Sequence, residues 1–198
     1  MTYPINEIFY SLQGEGTHAG RPAIFVRFSG CNLKCPFCDT DHSSACLMST
    51  EEIIAEVSRY HAPLVVLTGG EPSLYVNDEL LEALHEAGKY IAIETNGTNS
   101  LPEGIDWVTF SPKMGMSDGG DELRLQRADE IKVVNVGQDL GQYFDLSQCD
   151  EETGMFLQPC FVEADEERER ILRDTIAKVK ADPRWTLSVQ LHRLINIP

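Results

Sequence analysis

The 198-residue chain carries 32 Asp and Glu against 16 Lys and Arg, a formal charge of −16, so it repels phosphate backbones and is not expected to bind nucleic acid. Its longest apolar runs, Ala62 to Leu67 and Tyr90 to Ile93, are far short of the roughly 20 residues of a membrane-spanning helix, and the polar start Met1 to Glu7 has no signal-peptide pattern. A soluble cytoplasmic domain over residues 1–198 is expected, with six cysteines that are thiols or metal ligands rather than disulfides.

Pro22 to Phe28 (PAIFVRF) predicts a buried strand, which Ser29-Gly30 releases into a cysteine-bearing loop from Cys31 to about Met48. Ser49 and Glu52 form a capping box, with Ile53, Ile54 and Val57 as the apolar stripe of a helix ending near Tyr60. A strand at Leu64 to Thr68 follows. Next come a helix capped by Asn77, with Leu80, Leu81 and Leu84 on one face and Gly88 as its stop, and a strand at Tyr90 to Glu94. Further strands are predicted at Trp107 to Phe110, Glu130 to Val134, Met155 to Leu157 and Thr186 to Gln190, while Ser117 to Asp129 is too polar to assign. The helix from about Ala164 to Lys180 places Glu166 with Arg170, Glu169 with Arg173 and Asp174 with Lys178 at four-residue spacing, as on a solvated face. Alternating strands and helices predict an α/β fold, a partial (β/α) barrel of about six parallel strands, with ligand-binding loops at the carboxyl ends of the strands.

Cys31, Cys35 and Cys38 have the spacing CxxxCxxC. Three thiolates from one loop can converge on one inorganic centre and leave a coordination position for a ligand, whereas structural zinc and closed four-iron sites fill every position with protein. A zinc knuckle completed by His42, Asp39 or Cys46 is the competing reading.

CxxxCxxC after the first predicted strand, followed by Gly69-Gly70-Glu71-Pro72 after the second, resembles the radical S-adenosylmethionine superfamily. The resemblance implies a 4Fe-4S cluster on the three cysteines, S-adenosylmethionine chelated to its open iron, and one-electron cleavage of the sulfonium to give a 5′-deoxyadenosyl radical. Gly69, Gly70 and Glu71 would help hold the amino group, and Phe37 would lie near the adenine.

Ile8 to His18 (IFYSLQGEGTH), Arg27 to Cys31 (RFSGC), Cys38-Asp39-Thr40, Glu94 to Thr98 (ETNGT), Ser111-Pro112-Lys113, Gln158-Pro159 and the tail Gln190 to Pro198 occur in that order. Together they resemble the 7-carboxy-7-deazaguanine synthase family along essentially the whole chain. The resemblance implies conversion of 6-carboxy-5,6,7,8-tetrahydropterin to 7-carboxy-7-deazaguanine with release of ammonia, in queuosine and other 7-deazapurine biosynthesis. It assigns Leu12, Gln13, Gly14, Arg27, Thr95 and Pro198 to the substrate and Thr40 to Mg2+. To S-adenosylmethionine it assigns Phe37, Cys38, Asp39, Gly69, Gly70, Glu71, Gly97, Ser111, Pro112, Lys113, Gln158, Pro159, Cys160 and Phe161. A guanidinium at Arg27 suits a carboxylate, and a glycine turn at Leu12 to Gly14 suits a flat hydrogen-bonding ring. A flavodoxin-like or ferredoxin-like electron donor and a homodimer are the expected partners. Cys46 and Cys149 carry no assignment. A glycyl-radical-activating enzyme and a non-catalytic iron-sulfur or zinc module are the alternatives; Leu12 to Gly14, Arg27 and the terminal proline favour a small carboxylated substrate over the first, and turnover of S-adenosylmethionine would separate the second.

Overall fold

The computed structural model describes every residue except Asp39 and His42. Among the described residues nine strands form one sheet in the order β3-β1-β2-β4-β5-β6-β7-β8-β9. The strands are β1 (Thr2–Leu12), β2 (Pro22–Phe28), β3 (Cys46–Ser49), β4 (Leu64–Gly69), β5 (Tyr90–Thr95), β6 (Trp107–Phe110), β7 (Glu130–Asn135), β8 (Gly154–Pro159) and β9 (Thr186–Leu187). From β2 through β4 to β9 every pairing is parallel, giving the strands of the partial barrel, seven rather than about six because the two-residue β9 joins the edge. The sheet is mixed, since β1 pairs antiparallel with both β2 and β3. Neither was predicted: β1 alternates poorly, and β3 is only four residues long.

The helices are α1 (Thr50–Val57), α2 (Asp78–Glu86), α3 (Asp165–Ala181) and α4 (Leu191–Ile195). Ser49 and Glu52 close both halves of the capping box on α1, which stops at Val57 rather than near Tyr60. The Asn77 side chain caps α2 through the Leu80 amide, and Gly88, at φ +72°, turns the chain after it. On α3, Arg173 and Lys178 pair with Glu169 and Asp174 as predicted, while Arg170 reaches Glu167 at 3.3 Å instead of Glu166. The short α4 escaped prediction because it contains no buried residue to mark a stripe.

Strand alternation sorts the sheet into two faces. Ile24, Val26, Phe28, Val65, Leu67, Ile91, Ile93, Val108, Phe110, Ile131 and Val133 join the helix residues Ile53, Val57, Leu80, Leu81 and Leu84 in the main core. The opposite face starts apolar at the amino ends of the strands, with Ala23, Phe25, Leu64, Val66 and Ala92 packed with Phe9 and Trp107. The next level up is polar. In successive registers it runs Arg27, Thr68, Glu94, Thr109 and Glu130, the middle link following from Leu67 pairing with Ile93 one residue earlier. A bulge between Ile5 and Glu7 shifts β1 by one residue, so Tyr3 and Ile5 enter the main core while Glu7 faces Arg27 and Phe9 stacks on Phe25 at 4.9 Å.

Candidate active site

The polar end of this inner face opens into a cavity of about 530 Å³ at the carboxyl ends of the parallel strands, where α/β sheets place their ligands. One wall is the cysteine loop. Cys31, Cys35 and Cys38 all line the cavity, with Phe37 and Thr40 beside them. The loop is tied down at two points. Asn32 donates to the Thr98 hydroxyl at 2.8 Å and accepts from the Asn96 amide at 3.1 Å, and the Lys34 amide donates to Ser117 Oγ at 3.0 Å. Burial pushes the Cys31 and Cys35 thiols up, opposed at Cys35 by nearby Lys113, so loading metal there must displace protons. Three thiols of one loop, facing a cavity large enough for a further ligand, fit a cluster with one iron left for that ligand. Of the other cysteines, Cys46 is exposed on β3, Cys149 packs against the main core, and Cys160 lines the cavity from the end of β8.

Gly69 ends β4 and Gly70 follows it beneath this loop because nothing larger fits. A Cβ at Gly69, whose φ is +129°, would meet the Phe28 backbone oxygen at 2.2 Å, and one at Gly70 would meet the Gly30 carbonyl at 2.0 Å. Glu71 is buried and accepts from the Ser73 amide, the Thr95 hydroxyl and the Asn96 backbone amide. It binds the ends of β4 and β5 together. Lys113 donates to the Ser111 carbonyl and hydroxyl, and burial lowers its ammonium. Gln158 accepts from Ser188 at 2.8 Å, and Phe161 lies 3.6 Å beneath the Arg193 guanidinium.

The other wall is built from both ends of the chain. Arg27 Nε donates to Glu7 at 2.8 Å and its guanidinium sits 5.5 Å from the Phe9 ring centre, so its terminal nitrogens have no partner among the described residues. The Leu191 amide donates to Gly14 O at 3.0 Å, and a Cβ on Gly14 would strike His192 Nδ1 at 2.2 Å. The tail then folds back until Ser11 Oγ donates to Pro198 O at 2.7 Å. The terminus thus lies on the cavity rim.

Of the residues the sequence singles out, Gly97 and Pro112 do not line the cavity, and Asp39 lies outside the described residues. Gly97, at φ +79°, instead accepts the Arg124 and Leu125 amides and lets the Phe110 ring approach.

Sequence reasoning missed the floor. Lys132 is buried between Glu15 and Glu94, paired to the latter at 3.0 Å. Gln13 donates to Glu94 at 3.0 Å and Gln190 to Glu15 at 2.9 Å. Burial works against the charges on Glu15 and Lys132, but Lys132 holds the Glu15 carboxyl well below the usual range, and the two carboxylates raise the Lys132 ammonium. The available signal was the alternation Glu130, Lys132, Val134 against Ile131 and Val133 in one predicted strand.

Residues 25–132 match the family model of the radical SAM superfamily. The chain is 54% identical over 197 residues to the 7-carboxy-7-deazaguanine synthase of Bacteroides thetaiotaomicron, covering 100% of both. The chain belongs to the 7-carboxy-7-deazaguanine synthase family. Two further comparisons agree: the synthase of Nitratidesulfovibrio vulgaris is 39% identical over 225 residues with 100% of both chains covered, and the crystal structure of QueE from Escherichia coli superposes with a TM-score of 0.79 at 34% identity, covering 97% of this chain and 95% of that one. Members of this family are radical SAM enzymes, so a 4Fe-4S cluster and S-adenosylmethionine are the cofactors, and neither the activating-enzyme nor the non-catalytic alternative is favoured. Among the described residues no helix is long and apolar enough to cross a membrane.

Proposed function

We propose that the chain converts 6-carboxy-5,6,7,8-tetrahydropterin to 7-carboxy-7-deazaguanine with loss of ammonia. The observation that carries the reading is one cavity lined by the three cysteines on one wall and, on the other, by Arg27, whose terminal nitrogens have no partner among the described residues. Cys31, Cys35 and Cys38 would hold the cluster, which when reduced supplies the electron that cleaves S-adenosylmethionine.

The chain's own residues then have separable tasks. Phe37, Cys38, Gly69, Gly70, Ser111, Lys113 and Gln158 to Phe161 would line the S-adenosylmethionine half, with Glu71 fixing the wall through the Ser73, Thr95 and Asn96 donors and keeping acceptor capacity on Oε2 for an amino group. Arg27 would take the substrate carboxylate in a charge-assisted pair. The floor carries one ammonium against two carboxylates, leaving acceptors for the N–H edge of a pterin, with Gln13 and Gln190 holding those carboxylates in place. Gly14, Thr95 and Pro198 would shape the rim. Thr40, half-buried on the cavity wall, would contribute one neutral oxygen to Mg2+, too little unless the substrate carboxylate and water complete the octahedron. A flavodoxin-like or ferredoxin-like protein would supply the electron, and a homodimer is the proposed assembly.

The test is anaerobic incubation of reconstituted protein with 6-carboxytetrahydropterin, S-adenosylmethionine and a strong reductant, followed by mass analysis. The expected product is 7-carboxy-7-deazaguanine with equimolar ammonia. Cleavage of S-adenosylmethionine without consumption of the pterin overturns the substrate assignment.

A further inference from the structure

Antiparallel pairing of β1 with β2 sets Ile5 opposite Phe28, and an unbroken ladder would then put Asn6 opposite Arg27 and Glu7 opposite Val26, on the helix-covered face. The bulge prevents this. It takes up Asn6 as the extra residue, so Glu7 comes to lie opposite Arg27 on the inner face, where both line the cavity. The bulge is pinned from outside the strand: the Asn6 side-chain amide donates to the carbonyl and hydroxyl oxygens of Ser44, in the cysteine-bearing loop, at 3.0 and 3.1 Å. Ser29 closes the same corner, its amide donating to Pro4 O at 2.8 Å and its hydroxyl to Ser44 O. Glu7 then accepts from Arg27 Nε at 2.8 Å, and the Phe9 ring centre lies 5.5 Å from the guanidinium carbon. The pair does little for the fold, because 50% of the Glu7 side chain and 22% of Arg27 are exposed and ion pairs so open to water contribute little. Its consequence is geometric. With Nε occupied, the plane of the guanidinium is fixed, and the two terminal nitrogens remain to meet a carboxylate together.

We propose that Glu7 is a positioning residue for the substrate carboxylate: it holds Arg27 by Nε so that the terminal nitrogens face the cavity before the substrate arrives. The inference rests on the Arg27 contact in the proposed function and extends it by one residue. An arginine already held in one conformation loses less freedom on binding than one that must be ordered by its ligand. Charge alone predicts the opposite effect of Glu7. Removing a carboxylate beside the site should tighten an anionic ligand by electrostatics, so weaker binding without Glu7 separates positioning from charge.

Full-length wild-type, Glu7→Ala, Glu7→Gln, Arg27→Ala and Glu7→Ala/Arg27→Ala proteins are reconstituted anaerobically and titrated with 6-carboxytetrahydropterin by calorimetry, with S-adenosylmethionine present and no reductant. Glu7→Ala should bind iron and S-adenosylmethionine and unfold in urea as wild type does, yet hold the pterin about threefold to tenfold more weakly. In turnover the loss should fall on KM and leave kcat unchanged. Glu7→Gln, which keeps an acceptor for Nε without the charge, should bind as tightly as wild type or tighter. In the Arg27→Ala background Glu7→Ala should have no further effect. The proposal is overturned if Glu7→Ala binds the pterin as well as wild type or better, if Glu7→Gln is as weak as Glu7→Ala, or if the Glu7→Ala loss persists without Arg27. An Arg27→Ala protein that binds the pterin like wild type would instead refute the carboxylate contact of the proposed function.

Discussion

Lys132→Met tests the charged floor. Lys132 Nζ lies 3.0 Å from Glu94 and also contacts Glu15, with 4% of its side chain exposed against 13% for Glu15 and 23% for Glu94. At 3.0 Å and an effective dielectric of about 20, one such pair is worth about 5.5 kcal/mol of gross attraction, most of it offset by desolvation. Removing the cation while keeping the volume leaves two part-buried carboxylates facing each other, and the expected loss is about 3–5 kcal/mol at pH 7. For a domain of this size that is a fall of roughly 6–20 °C in melting temperature. The pH dependence should flatten. In the wild type, Lys132 holds the Glu15 carboxyl below its unfolded value, so this contribution is present above the unfolded value and is lost as pH falls through the folded one. In the variant burial is opposed only by the Gln190 hydrogen bond and the charge of His192, so the stability gained above the unfolded value shrinks. Urea unfolding of both metal-free chains at pH 5 and 7, followed by circular dichroism, measures this. A loss under about 1 kcal/mol at pH 7, or a variant whose stability follows pH as the wild type's does, refutes the account.

Cys31→Ala, Cys35→Ala or Cys38→Ala should each abolish stable cluster assembly, and stoichiometric iron and sulfide in any of them would contradict the ligand assignment. Arg27→Ala should keep the cluster and S-adenosylmethionine binding but weaken the pterin carboxylate by about 1.5–3 kcal/mol, roughly 10-fold to 150-fold in dissociation constant, which calorimetry reads. Thr40→Ala should slow turnover in a way that added magnesium only partly restores, and a wild-type magnesium dependence would remove Thr40 from the metal site. Gly97→Ala adds left-handed strain at φ +79° and a Cβ 2.3 Å from the Phe110 ring. It should cost about 2–5 kcal/mol by urea unfolding, and a near-neutral result would show that Phe110 can move aside.

What the sequence made legible were features whose signal is local. The capping box of Ser49 and Glu52, the Asn77 cap and the short apolar runs of β2, β4, β5 and β6 each depend on neighbours within one element. The cysteine loop was legible for the same reason. What it hid depends on distant pairing: β1 is a strand because β2 and β3 flank it, and its bulge at Asn6 decides which of its side chains face Arg27. Ser117 was hidden too, because polar turns announce no partner, and its contact with Lys34 spans 83 residues. Gly97 shows the converse hazard. It sits in a recognisable segment, yet its left-handed φ and the Phe110 ring against it account for the glycine without a ligand.

The register also accounts for where chemistry can happen. Phe25, Val66, Ala92 and Trp107 share one level of the inner face, and Arg27, Thr68, Glu94, Thr109 and Glu130 the level two residues further on. A slip of one residue in any strand would send its polar member into the helix-covered core and an apolar one into the cavity. Specifying that register therefore protects core and site together. The apolar level beneath, where Phe9 stacks on Phe25 and Trp107 lies 4.7 Å from His18, seals the floor from solvent on the amino side. Charges set on a sealed floor interact more strongly than they would in water. In the proposed function, Lys132 and its two carboxylates would use this to orient a small polar ring while the cysteine loop addresses it from the opposite wall.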